Sequence, residues 1–556
     1  MVWSGAADER VRAEAEPADR PPTQLQALVG RILGSRTLIF VLVGAALFVL
    51  ARSIQEPGHS WGDDFALYIN QARGLSEGTA ATVVADTRFA IDNSAYASFS
   101  PTAYPWGFPA LLSAVVATGG IDYAALKLIP TLSFVGGVLV LYLLLEHRLS
   151  KLGAGAVAAF FGLNFWYLGR TDQVLSDLTF WFLVVLTLYV LDRRVRAGTL
   201  LAGNGALAAA ICAFAAFNVR REGVLLLGAI GAAQLVAWLV ARRTARTSEV
   251  STGPTWRAAL LPYAAFAVGA VVMQLARPAP ILNPSQDVGE SGLQHVWFNL
   301  QYYRDPFAEL IGLKDAGPND LTLLGSVGAA FAAMALVLGL AVVGIVVSLI
   351  RTPERDAHLV VALALIGLAV LTQPFREGRY LITLVPLIVY FTLHGVGALL
   401  GLVARGRQLA PVRAVVPTLL LLPMFLSVLD DTKHAFDYHR TYEVVSWGPD
   451  APDAQGLFAA VETYTDARDV VVFFQARTMN LYTRRRAIQG NSIPMMVERG
   501  DWYAMSRDSD YIQTPLTDAQ AAELGFEKVW ENPSFVLWKI PDRPAPPALV
   551  VPAGAT

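Results

Sequence analysis

The chain holds one cysteine, Cys212, in 556 residues, so no disulfide can form within it. That residue lies in an apolar run and reads as a small core side chain. Its solitude leaves the redox compartment open, because an extracytoplasmic protein need not carry disulfides. Charge is scarce as well. Only 16% of residues are Asp, Glu, Lys or Arg, against about 25% in soluble domains. The net charge of -2 excludes the strongly basic balance of a nucleic-acid-binding protein. HExxH, CxxC, Walker A, GxSxG and dinucleotide-binding patterns are all missing. Metalloprotease, thiol-redox, nucleotide-hydrolysing and serine-hydrolase chemistry are therefore excluded at the level of motifs.

What is abundant is apolar sequence, at 54% of residues. A helix crossing about 30 Å of hydrocarbon needs roughly 17–25 such residues. Runs of that kind fall near 36–53, 124–146, 153–169, 177–193, 200–219, 223–241, 258–277, 323–350, 357–373, 380–402 and 411–429. This predicts a polytopic α-helical membrane protein with about eleven spans. The segment 104–120 is apolar too, but it opens Tyr104-Pro105-Trp106-Gly107-Phe108-Pro109. Two prolines among aromatics suit a short interfacial helix better than a span. Orientation supports that choice. With the N-terminus in the cytoplasm, the loops 146–151, 193–196, 242–257, 351–358 and 405–413 all lie inside, and all are basic, as the positive-inside rule requires. Counting 104–120 as a span would turn every one of them outward.

The same topology divides the chain. Residues 1–35 are polar and read as a disordered cytoplasmic tail, and 36–429 as the membrane domain, with an outward loop over 52–123. Residues 430–540 read as an extracytoplasmic α/β domain. In it we expect helices at 453–466 and 517–524, a strand at 469–474 and a hairpin of 526–530 with 534–540. The tail 541–556, rich in Pro and Ala, reads as disordered. A cleaved signal peptide is disfavoured, because Arg52-Ser53 after the first apolar run lacks a small-residue cleavage pattern.

Four polar constellations fall on the outward face. The first is Trp61-Gly62-Asp63-Asp64, where two carboxylates sit beside the membrane and ionisable groups are functional by default. Asp64 and Tyr68 are four residues apart and share a helix face. One aspartate can instead cap that helix, and Asp63 is the better placed to do so. The second is Arg170 to Asp177, where Asp177 either caps the next span or faces a site. The third is Arg220-Arg221-Glu222, a turn with almost no loop. Its arginines run against the charge rule and either pair with Glu222 or meet an anion such as a lipid phosphate. The fourth, Arg376-Glu377-Gly378-Arg379-Tyr380, is a second turn of the same kind. The aromatic-rich segment 278–322, with His295, Trp297 and Arg304, suits an interfacial anchor or a lid.

These motifs, in this order and on one side, resemble the GT-C glycosyltransferases, in particular the branch of protein mannosyltransferases and aminoarabinose transferases. That family's Asp-(Glu/Asp)-x-x-Tyr-x-x-x-Ala loop is similar to Asp64-Phe65-Ala66-Leu67-Tyr68-Ile69-Asn70-Gln71-Ala72, except that Phe65 replaces the second acid. The departure leaves the choice of catalytic carboxylate between Asp64, preferred, and Asp63. Tyr104 to Pro109 resembles the family's interfacial helix, Ser176-Asp177 the acid opening its fourth span, and Arg376 with Arg379-Tyr380 its late arginine turn. The resemblance spans roughly residues 29–429. It implies a GT-C fold in a bacterial plasma membrane, and a sugar moved from a polyprenyl-phosphate donor to a glycolipid, cell-wall glycan or protein acceptor on the extracytoplasmic face, with inversion. Asp64 or Asp63 would act as base. Arg221, Arg376 and Arg379 would hold the donor phosphate, with Glu222 and Asp177 orienting them and Tyr68 and Tyr380 in the donor or substrate site. No metal or other cofactor is expected, with a divalent cation left open. A lipid or solute transporter and a lipid-linked oligosaccharide ligase are the competing readings. A transporter would place its charges near the bilayer midplane, commonly with internal repeats.

Overall fold

The computed structural model describes residues 36–95, 101–245, 256–280, 292–312, 326–403, 415–416, 418–441, 447–508 and 511–541. The two expected tails, 1–35 and most of 541–556, lie outside the described residues. The chain divides into two units, residues 1–47 and 48–556. The first contributes the opening part of α1 (Arg36–Ser53), an uninterrupted apolar helix.

The second unit begins with α2 (Asp64–Glu77), α3 (Ala80–Asn93) and α4 (Gly107–Gly119). Helix α4 has 13 residues, too few to span a bilayer. The long helices follow: α5 (Tyr123–Leu145), the pair α6 (Lys151–Gly162) and α7 (Phe165–Asp172) bent by 54°, and α8 (Asp177–Arg196). Next come α9 (Leu207–Val219), α10 (Leu226–Ala245), α11 (Trp256–Ala276), α12 (Gly292–Leu310), α13 (Ser326–Arg351), α14 (Pro353–Thr372), α15 (Val385–Val403) and α16 (Leu422–Thr441).

Among the described residues seven helices are long and apolar enough to cross a membrane, and eight if the bent pair is one span. Their outer faces are apolar: Leu275 is 79% exposed and Ile350 76%. Exposure on that scale along helix after helix needs hydrocarbon as its solvent. The chain is a multi-pass membrane protein. The eleven expected runs and the seven qualifying helices differ for local reasons. Helix α8 carries Asp177, Asp192, Arg193, Arg194 and Arg196 at its two ends. Helix α9 has only 13 residues. The run at 411–429 is partly outside the described residues, and α16 starts late in it and continues to Thr441 with a polar C-terminal half. The segment expected as an interfacial anchor holds α12, which docks on the end of α14 through His295 Nε2 donating to Gln373 O at 2.7 Å.

Helix α8 is central. It packs on α5, α9 and α10 and buries Trp181 at 0% exposure against Tyr167. Lipid supplies no hydrophobic drive between helices, so such close packing must hold them together.

The C-terminal layer contains α17 (Pro452–Tyr464), β1 (Val470–Val472), α18 (Ala476–Thr483), β2 (Arg486–Ile488), α19 (Ile493–Arg499), β3 (Trp502–Ser506), α20 (Asp518–Glu523), β4 (Glu527–Glu531) and β5 (Phe535–Lys539). The five strands lie in the order β2-β1-β3-β5-β4. Strand β1 is parallel to β2 and β3, and β5 is antiparallel to β3 and β4. Successive residues face opposite sides. Val471, Ala504 and Leu537 join one apolar cluster, and Val472, Tyr503 and Val536 the other. Trp61 packs into the first cluster, edge-on to Phe473 and Phe474. The tryptophan thus anchors the Asp63–Asp64 segment to the sheet domain.

Candidate functional site

Asp64 is the first residue of α2, where the helix dipole favours a negative charge. Three elements converge on it. Arg379, in the turn after α14, donates to Asp64 Oδ2 at 2.6 Å. Tyr104 donates its hydroxyl to Asp64 Oδ1 at 2.5 Å. Arg477, from α18, brings its guanidinium to 4.0 Å. Burial alone would raise the Asp64 pKa, but Arg379, the Tyr104 hydrogen bond and Arg477 together hold it below the ordinary carboxylate value. Asp64 is therefore ionised at neutral pH, and a third of its side chain stays exposed. Burial, helped by the charge of Asp64, pushes the Tyr104 phenol up, so it remains a proton donor.

Asp63 corrects the capping expectation. It occupies the N-cap position of α2 but makes no side-chain cap hydrogen bond there. Its Oδ1 instead accepts from the backbone N–H of Arg477 at 3.1 Å, at the start of α18. The acid expected to cap its own helix caps one in the sheet domain. Burial, and then the neighbouring Asp64, raise its pKa to about 7 against the opposing pull of Arg477.

Asp177 opens α8 but does not cap it; Ser176 holds the N-cap position, without a side-chain capping bond. Asp177 Oδ1 accepts from Arg220 at 2.6 Å, and Arg379 Nη1 stands 3.7 Å from Oδ2. Arg379 thus bridges Asp64 and Asp177. Tyr68 reaches this group indirectly. Its hydroxyl bonds Ser176 Oγ at 2.8 Å, and its ring stacks on Tyr104 with centroids 4.4 Å apart.

The third turn is corrected by one residue. Arg221, the expected phosphate ligand, donates to Pro280 O, Ala279 O and Gln274 instead. Arg220 is the residue in the cluster, paired with Asp177 and, at 3.4 Å, with Glu222. The backbone explains the difference. Arg220 is extended, with φ -145° and ψ 138°, and a tight 3-10 turn starts at Arg221, so neighbouring side chains diverge. Close approach fixes the turn: a Cβ on Gly223 would meet Phe217 N at 2.2 Å, and one on Gly107 would meet Asn218 O at 2.6 Å. The glycine after Trp106 thus lets the Tyr104 segment and the Arg220 turn sit against each other.

Arg220, Glu222, Asp177, Arg379 and Tyr380 line one cavity, which continues between apolar Phe180, Ile366 and Val370. Tyr380 lies under Arg220, with the guanidinium carbon 4.9 Å from the ring centroid. The cavity is narrow, about 20 Å³, which is room for a water. Arg376 is not part of its lining; it donates to Asn299 at 2.7 Å and lies over Phe298 of α12. Asp177 Oδ2 and Arg379 Nε are buried without a hydrogen-bond partner among the described residues. A buried donor and acceptor left unmade in an otherwise paired cluster leave places for a bound group. Among the described residues no three or more His, Cys, Asp or Glu converge as metal ligands.

Of the residues singled out from sequence, Asp64, Tyr68, Asp177, Glu222, Arg379 and Tyr380 meet in this region, with Asp63 behind it. Arg220 and Tyr104 were named only within their motifs and given no place in the site, and Arg477 was missed. Tyr104 carried a signal, since it opens the Pro-rich motif; Arg477, more than four hundred residues beyond Asp64, carried none.

No family model and no curated protein matches this chain. It is similar to the solved archaeal oligosaccharyltransferase AglB from Archaeoglobus fulgidus, in complex with an inhibitory peptide and a dolichol-phosphate, at 13% identity and TM-score 0.47, over 85% of this chain and 70% of that one. It is also similar to apo ArnT from Cupriavidus metallidurans, at 15% identity and TM-score 0.46, over 92% of this chain and 98% of that one. ArnT bound to undecaprenyl phosphate gives 15% identity and TM-score 0.44, over 90% and 97%. The likeness is one of chain path, at identities too low to carry side-chain roles across.

Proposed function

We propose that this protein is an integral-membrane glycosyltransferase of GT-C type. It moves a sugar from a polyprenyl-phosphate donor to an acceptor hydroxyl on the extracytoplasmic face. The observation that carries this reading is the placement of Arg379. It is bonded to the ionised, half-open Asp64 on one side and lines, with Arg220, a cavity walled by apolar helices on the other. A phosphate on a hydrocarbon tail has that chemistry: guanidinium forks for its oxygens and apolar side chains for its chain.

The step balances simply. An acceptor O–H attacks the anomeric carbon while the bond from that carbon to the phosphate oxygen breaks. The proton passes to Asp64, and the polyprenyl phosphate leaves with the bonding electrons. A positioned base contributes roughly 10²–10⁴-fold. Arg220 and Arg379 stabilise the charge that grows on the leaving phosphate. A single displacement inverts the anomeric centre. Tyr104 holds Asp64 in place, and Asp63 and Arg477 tie the site to the sheet domain. The helix ends that carry Arg193, Arg194, Arg196 and Arg351 are basic and face the cytoplasm by the positive-inside rule, which puts Asp64 on the other face. The reading invokes no metal, so chelation is expected to leave turnover unchanged.

The test is direct. Purified protein in lipid vesicles is given labelled polyprenyl-phosphate hexoses and pentoses with candidate acceptors. The expected result is sugar transfer with stoichiometric release of polyprenyl phosphate. Failure to bind polyprenyl phosphate or to process any such donor overturns the reading.

A further inference from the structure

A second cavity lies at the far end of α8, on the opposite side of the helical bundle from Asp64. It holds about 330 Å³ and its polar lining is Arg148, Ser150, Arg351, Thr352, Arg355, His394 and Thr418, with no Asp or Glu among the described residues of its wall. Arg148 is already committed, to Asp192 at 2.6 Å and Asp356 at 3.0 Å. Arg355 is half-buried and bonds Asp356 and Tyr390 from one side. Arg351 is exposed at the end of α13, and its side chain makes no hydrogen bond or ion pair among the described residues. Ser150 Oγ accepts from Gly153 N at 3.0 Å, which leaves its own proton to donate. Val347 and Leu393 add an apolar part to the lining. Around it stand exposed Ile350 and Leu152 at 76% and 64%.

We propose that this cavity binds the phosphate headgroup of an anionic membrane lipid. Arg351 and Arg355 supply the guanidinium donors, and the apolar part of the lining and the rim receive the upper acyl chains. Basic pockets between membrane helices are built for such headgroups. A cationic, acid-free cavity calls for an anion. The apolar rim selects one that carries hydrocarbon over free phosphate. The site is separate from the donor cavity and does not depend on the transfer reading.

Native mass spectrometry of the full-length detergent-solubilised protein tests it, with phosphatidylglycerol and phosphatidylcholine of identical chains offered at equal concentration. Wild type is expected to retain phosphatidylglycerol in preference to phosphatidylcholine. Arg351→Gln is expected to lower that retention about fivefold, equivalent to ~1 kcal/mol. Arg351→Lys is expected to keep most of it, and Arg220→Gln, in the other cavity, to leave this adduct in place. The Arg351 side chain is exposed and has no partner among the described residues, so neither substitution threatens folding. Equal retention of the two lipids, an unchanged Arg351→Gln, or displacement by equimolar inorganic phosphate would each overturn the proposal; the last would assign the cavity to a soluble anion.

Discussion

Helix α8 carries an arginine–carboxylate cluster at each end, and the two are built differently. At the Asp192 end the side chains of Arg148, Asp192 and Asp356 are all fully buried. Arg148 uses every nitrogen: Nε bonds Asp356, Nη1 bonds Leu144 O, and Nη2 bonds Asp192 and Arg355 O. Tyr390 and Thr352 close on the Asp356 oxygens at 3.0 and 3.2 Å. At the Asp177 end, Asp64 is one-third exposed, and Asp177 Oδ2 and Arg379 Nε lack hydrogen-bond partners among the described residues. The same residue types thus make a lock at one end and a site at the other. What separates them is satisfaction of the charged groups. At the Asp192 end every guanidinium nitrogen of Arg148 and every oxygen of Asp192 and Asp356 is paired, and the buried atom beside them that lacks a partner among the described residues is a ring nitrogen, His358 Nδ1. At the Asp177 end, unpaired charged atoms beside a cavity await a ligand.

The largest expected effect breaks the lock. Arg148→Met removes the guanidinium that Asp192 and Asp356 share, leaving two buried carboxylates with only Arg196 and Arg355 as cations, at a cost of roughly 3–5 kcal/mol. The unfolding temperature in detergent should drop steeply, while the fraction that stays folded keeps its transfer activity. Loss of activity without loss of stability would place catalysis at the wrong end.

The next effect is on turnover. Arg220→Gln and Arg379→Gln each remove a donor aimed at the leaving phosphate and should lower turnover about 10²–10³-fold. Arg221→Gln, one residue away but bonded to Pro280 and Ala279, should change it less than about threefold. Equal losses for Arg220 and Arg221, measured side by side, would erase the distinction the extended backbone at Arg220 creates.

These contrasts also mark what was legible in the sequence. Asp64, Asp177 and Arg379 could be read because each opens or closes an apolar run, and charge at such a boundary stands out; Tyr68 followed from its four-residue spacing to Asp64. Arg220 and Arg221 are adjacent in a turn without periodicity, so nothing local says which one turns inward. Tyr104 precedes a proline that keeps it extended, which showed its backbone but not its partner. Arg477 is a tertiary contact from another layer. In the sheet domain the hairpin β4–β5 and strand β1 followed from β-branched runs and turn residues. Strand β2 is three residues long and begins with Arg486, and β3 is buried on both faces, so neither shows alternation.

The smallest effect concerns Asp63. Its pKa is raised from 3.8 to about 7, so the folded state binds the proton more tightly than the unfolded chain. Stability from this group is present below about pH 4 and is lost as pH rises toward 7. Wild type should lose about 2–4 °C in unfolding temperature, relative to Asp63→Asn, between pH 5 and pH 8. Parallel curves for the two proteins would show that Asp63 does not titrate at the α2–α18 contact.

The most direct measurement is single-turnover sugar transfer by Asp64→Asn at saturating donor, with Asp63→Asn beside it. The amide keeps the shape of Asp64 and a bond to Tyr104 but cannot take the acceptor proton. The account predicts a loss of about 10²–10⁴-fold for Asp64→Asn, with donor binding retained, and a much smaller loss for Asp63→Asn. Near-wild-type transfer by Asp64→Asn would contradict it.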